Sequence, residues 1–212
     1  MAQLDHIIWG APDLESAVAL FARLTGVTPS AGGSHPGFGT RNRLVGLGDG
    51  VYLEILALDP DQEARSPRAR QLQALHGPGL ITISLRSDDL ALVRDRAAAA
   101  GLDTPAPTPM GRVRPDGVAL NWEILTPVHT GFGDLLPFFI DWGRSPHPSA
   151  DAASGCRLKS LTALHPDVDA LRGFFDAIGV AVPVARSHAE GFIAVLDTPR
   201  GDVILTPPPW QA

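Results

Sequence analysis

Cys156 is the only cysteine in the 212 residues, which excludes an internal disulfide and any zinc site built on several thiolates. Lysine is equally scarce: Lys159 is the only one, leaving little room for a lysine-based mechanism. No apolar run is long enough to span a bilayer. The N-terminus lacks the basic segment, apolar stretch and small-residue cleavage site of an export signal, so the expectation is a soluble, cytoplasmic protein. Excess positive charge is also missing. A net charge of −6 and a pI near 5.5 argue against nucleic acid or an anionic membrane as the main partner. What remains, 44% hydrophobic and 19% charged residues, is the composition of a globular chain with a sizeable core, far from disorder.

One pattern occurs three times. "LDHIIWGAPDLESAVALFARLTGV" reads as a strand near Leu4–Trp9, then a helix from about Pro12 to Thr25 that Gly26 terminates. "LITISLRSDDLALVRDRAAAAG" gives a strand over Leu80–Leu85 and a helix stopped by Gly101. "LKSLTALHPDVDALRGFFDAIG" gives a strand near Leu158–Leu164 and a helix ending at Gly179. Each helix leads into material that reads as two or three strands, with hairpin turns at Gly48-Asp49-Gly50 and Pro199-Arg200-Gly201-Asp202. The expected fold class is therefore α+β, with βαβββ modules at 1–60 and 78–150 and a third βαβββ-like unit at 155–212.

A module with His on its first strand ("LDHIIWG") and Glu on its last ("VYLEILA") resembles the vicinal oxygen chelate superfamily. "SHPGFGTRNRLVGLGDGVYLEI", followed by "LPFFIDWG" and "PHP", is similar to the glyoxalase-like family of bacterial proteins. The resemblance implies that two tandem modules curl into a cup-shaped sheet, with the third unit appended; pairing of the first and third copies instead stays open. It also implies a divalent metal (Zn, Fe, Mn or Ni) in the cup, held by residues of first and last strands, and a small-molecule substrate with a carbonyl or vicinal oxygens. The reaction would be that of a lyase, isomerase or dioxygenase, and pairing of modules across a homodimer is common among such proteins. The alternative is a metal-free protein that uses the same cup to bind or sequester an apolar or aromatic ligand.

On that resemblance His6 and Glu54 are metal ligands. A neutral imidazole and a carboxylate on neighbouring strands suit such ions, although two groups are too few. If "LNWEILTP" corresponds to "VYLEILAL", Glu123 is a third ligand. If "LLPFFIDW" is the true last strand of its module, the matching position falls at Phe138–Ile140, and the hairpin of the third copy favours that register. Thr82 stands where a second His would be. His35, in the Gly-rich "SHPGFGT" that reads as a loop over the cup mouth, and His147, on the stiff "SPHPS" segment, are candidates for a catalytic base or a further ligand. Thr40 and Asn42, in phase with Leu44, are expected to face the ligand, as are Trp122, Asp141 and Trp142. Strict strand alternation sets Asp5 on the face opposite His6.

Overall fold

In the computed structural model, which describes residues 2–114, 116–128 and 131–209, period-two alternation divides the long strands into two faces. The first module comprises β1 (Gln3–Gly10), α1 (Leu14–Thr25), β2 (Ser30–His35), β3 (Thr40–Gly46) and β4 (Tyr52–Leu58). Asp13 caps α1 by accepting from the Ser16 amide at 2.8 Å, and Gly26 ends it in the left-handed region at φ 79°. After a short helix, α2 (Pro67–Gln73), the second module repeats the order as β5 (Gly79–Arg86), α3 (Leu90–Ala99), β6 (Thr108–Val113), β7 (Ala119–Leu125) and β8 (Phe138–Asp141).

The two modules share one eight-stranded sheet in the order β2-β3-β4-β1-β5-β8-β7-β6. β1 runs parallel to β4 and antiparallel to β5, and β5 runs parallel to β8, so each module contributes the same four-strand pattern on either side of the β1–β5 seam. At the far edges Arg112 of β6 donates through Nη1 to the Gly32 carbonyl of β2 at 2.7 Å. That bond draws the two rims together and nearly closes the sheet. β8, from "LLPFFIDW", is the last strand of the second module.

The third unit has the βαβββ order, β9 (Arg157–His165), α4 (Val168–Ile178), β10 (Val184–Arg186), β11 (Gly191–Thr198) and β12 (Gly201–Leu205), but not the strand arrangement of the other two. Its separate sheet runs β10-β9-β11-β12. Residues 210–212, the end of this unit as read from the sequence, lie outside the described residues. The unit packs on the convex side of the main sheet. Ile7, Trp9, Leu53 and Ile83 of the main sheet share one apolar core with Phe21, Phe175, Phe192, Ala194 and Leu196. Backbone bonds join the parts as well: Leu158 donates to the Leu47 carbonyl at 3.0 Å and Leu80 to that of Thr206 at 2.8 Å. Among the described residues, no helix is long and apolar enough to cross a membrane.

With one face committed to this core, the other half of each strand lines the cup. On β1 these residues are His6 and Ile8, on β3 Thr40, Asn42 and Leu44, and on β4 Tyr52, Glu54 and Leu56.

Candidate active site

The concave face encloses a cavity of about 580 Å³. Its walls are apolar: Trp122 and Trp142 lie with ring centroids 5.1 Å apart, joined by Met110, Phe138, Ile140 and Leu44. The floor is polar, and its imidazoles and the Glu54 carboxylate belong to the first module. Arg68 and Gln71 of α2 line the cavity beside Asp134. Gln71 donates to Asp134 at 2.6 Å, and Arg68 lies 3.9 Å from it.

His6 is the centre of the floor. Its Nδ1 donates to Asp5 Oδ1 at 2.7 Å, which fixes the tautomer and leaves the Nε2 lone pair facing Glu54 Oε2 at 3.7 Å. Tyr52 stacks on the imidazole at 4.6 Å between centroids, and Phe138 meets it edge-on at 5.5 Å. Asp5 is fully buried. It also accepts from His147 Nε2 at 2.8 Å and Trp142 Nε1 at 3.1 Å. Burial alone would raise the Asp5 carboxyl, but the hydrogen bonds from His147 and His6 outweigh it and hold the group well below the usual carboxylate range.

Asp5 reaches this face through a bulge. Leu4 pairs with Leu85 and His6 with Ser84, so Asp5 is an extra residue on β1 and alternation slips there by one. The strict two-residue count that put Asp5 on the opposite face from His6 fails for this reason.

Beside Glu54, Asn42 Nδ2 donates to Glu54 Oε1 at 2.5 Å and lies 3.3 Å from His35 Nε2, while its Oδ1 accepts from the Gly33 amide at 2.9 Å. His35 Nδ1 contacts Thr40 Oγ1 at 2.9 Å, and burial pushes the imidazole below its ordinary value against the opposing pull of Glu54. Burial likewise raises Tyr52 well above its usual phenol range. Arg112 is 7% exposed, and burial lowers its guanidinium while Glu54 opposes the shift. It stands between the main cavity and a smaller hollow of about 200 Å³.

The cavity therefore gathers His6, Glu54, His35, Thr40, Asn42, Trp122 and Trp142. His35 belongs to β2, at its last residue, and not to a loop over the mouth. His147 stands one layer behind, edge-on to Tyr52 and bonded to Asp5. Glu123 and Asp141 are not brought in. Trp122 faces the cavity, so its neighbour Glu123 points outward and is exposed. Asp141 is half-buried and accepts from the Gly143 amide at 2.8 Å in the turn after β8. Arg112 and Asp5 escaped the sequence reading. Arg112 sits on a strand of mixed polarity, "TPMGRV", whose inward phase only the pairing of Met110 with Trp122 reveals.

The metal expected from the resemblance finds an incomplete set of ligands. Ile7 pairs with Ile83 across the seam, so the relation between modules carries His6 onto Thr82. Through the pairs Ile8–Glu54 and Ser84–Phe138 it carries Glu54 onto Phe138. A hydroxyl bonded to the Leu136 carbonyl and a benzene ring replace the second His and second carboxylate. Glu54 Oε1 is already taken by Asn42. Among the described residues no three His, Cys, Asp or Glu side chains are grouped to hold an ion, and the residues present do not fit the group.

The sequence profile of the family described as glyoxalase-like domain, a vicinal oxygen chelate family, matches residues 4–179. No curated protein matches the chain. Among solved structures, a hypothetical protein from Staphylococcus aureus superposes with a TM-score of 0.69 at 15% identity, over 96% of this chain and 84% of that one. Methylmalonyl-CoA epimerase from Mycobacterium tuberculosis gives 0.51 at 20% identity, over 70% and 91%. The Streptomyces coelicolor epimerase in complex with 2-nitronate-propionyl-CoA gives 0.51 at 16%, over 70% and 99%. At these identities the likeness is one of fold.

Proposed function

Given that the chain belongs to the glyoxalase-like domain family, we propose that it is an enzyme of small-molecule metabolism that moves a proton at a carbon beside a carbonyl. The observation that carries this reading is the Asp5–His6 pair, whose bare Nε2 faces Glu54 on the polar floor of a cavity with apolar walls. A neutral imidazole held in one tautomer by a buried carboxylate is an oriented general base. The C–H bond breaks, the proton goes to His6 Nε2, and its electron pair moves onto the carbonyl oxygen as an enolate. Asp5 and Glu54 are the negative charges flanking the ring while it holds the proton, and returning that proton to carbon completes the cycle. Trp122, Trp142 and Phe138 exclude water from the reacting carbon. Epimerisation, the reaction named for two of the solved relatives, begins with the same proton removal and additionally requires return on the opposite face. No step runs through a metal, because the ligand positions of the second module are Thr82 and Phe138.

Those same two replacements favour a second reading, a cup that binds an apolar or aromatic ligand without turning it over. Deuterium incorporation separates the two. A panel of small ketones and 2-oxo acids in D2O is followed by proton NMR with wild type and His6→Gln. Proton transfer predicts catalysed exchange for at least one compound, falling by about 10²–10⁴-fold in His6→Gln with binding retained. Binding without catalysed exchange across the panel supports the carrier.

A further inference from the structure

Arg112 has a position that the proton-transfer chemistry does not use. Its side chain is more than nine-tenths buried, on the inward phase of β6, opposite Leu120 and beside Trp122 and Met110. One nitrogen donates to the Gly32 carbonyl. Among the described residues no carboxylate lies within ion-pair distance of it, although Glu54 attracts it across the floor. Arg68, the other arginine of the cavity, has Asp134, and Arg114, two residues further on, has Asp116 and Asp151. A buried guanidinium without a contacting anion is a costly arrangement, and its unused N–H groups lie against a cavity.

We propose that Arg112 is the specificity-determining residue of the cup and takes the carboxylate of a monoanionic substrate whose aromatic or branched apolar body lies against Trp122 and Trp142. The planar fork of a guanidinium matches a carboxylate and forms short charge-assisted bonds with it. With Arg68 beside Asp134, Arg112 is the cavity arginine left to neutralise one negative charge. A dianionic phosphate monoester would leave an excess charge next to Glu54, so the monocarboxylate is the better match. The assignment rests on the cavity being the ligand site proposed above, but not on any reaction taking place there.

Binding decides it without turnover. Affinities of 3-phenylpropanoate and of its uncharged amide, 3-phenylpropanamide, are measured by calorimetry on wild type, Arg112→Met and Arg112→Lys. The expected result is a preference of about tenfold or more for the acid in wild type. The preference vanishes in Arg112→Met with amide binding lowered by about tenfold at most, and it is partly kept in Arg112→Lys. Retained amide binding also shows that loss of the Gly32 bond has not opened the cup, which a purely fastening role for Arg112 would predict. Equal affinity for acid and amide in wild type overturns the assignment, as does a preference that survives in Arg112→Met. If neither probe binds wild type, the ligand-cavity reading falls and the assignment with it. Loss of deuterium exchange alone would overturn only the proton transfer. Should Arg112→Met fail to fold, the wild-type ratio and Arg112→Lys decide.

Discussion

Asp5 gathers three donors, from His6, His147 and Trp142, onto one fully buried carboxylate. Replacing it with Asn keeps the volume but removes the charge and supplies an N–H where acceptors are needed. Asp5→Asn is expected to lower stability by about 2–4 kcal/mol in denaturant melts at neutral pH. The pH dependence has a definite sign. The carboxyl is lower in the folded protein than its ordinary value of 3.8, so its contribution is complete above that value and drains away as pH falls through and below it. Wild type should therefore lose stability steeply below about pH 4, and the Asn variant less steeply; parallel acid limbs would show that Asp5 is not the group responsible. At this scale the sequence spoke unevenly. Glu54 could be placed because it interrupts an apolar strand, His6 because it is in phase with Ile8, and Asn42 because it is in phase with Thr40 and Leu44. Asp5 could not, since one inserted residue inverts the face and leaves no mark in composition.

Bulges recur at the level of elements. In β2, Ala31 pairs with Arg43 but Gly33 pairs with Asn42, so Gly32 is the extra residue. A Cβ at Gly32 would lie 1.9 Å from Asn42 Oδ1 and 2.7 Å from the Asn42 carbonyl oxygen, so any side chain there expels Asn42 from its place between Glu54 and His35. Gly32→Ala should cost about 1–3 kcal/mol of stability and impair the site together with the strand pair. Melting curves and ligand affinity check this, and an unaltered melt with unaltered binding would contradict it. The glycines of "AGGSHPGFGT" read as a loop, whereas the first two belong to a strand whose backbone must approach Asn42 closely. The repeat was the most legible feature of the chain, because strand-helix periodicity survives where side-chain identity does not. It placed the last strand of the second module at "LLPFFIDW" and thereby left Glu123 on an inner strand. What periodicity could not supply was the phase of β6, and with it Arg112.

For the whole molecule, the third unit is a covering layer as much as an appendage. Leu161, Ala163, Phe192, Ala194 and Leu196 close the convex side of the sheet whose concave side is the cup. A chain ending at residue 154 would bare that surface, and we expect it to bind a hydrophobic dye and to melt without cooperativity; a soluble fragment with a sharp transition would show the unit to be dispensable. The sequence could not settle which two copies form the cup, because pairing across the β1–β5 seam depends on register, not on the presence of strands. His6 and Glu54 stand in the first module, while Thr82 and Phe138 hold the matching places in the second. Under the proposed chemistry the cup then has one pole that handles protons and one inert pole, so a bound substrate is approached from the first module's side. Two halves of like architecture thus enclose a space whose ends are chemically unlike, and that difference is what would make the cup handed.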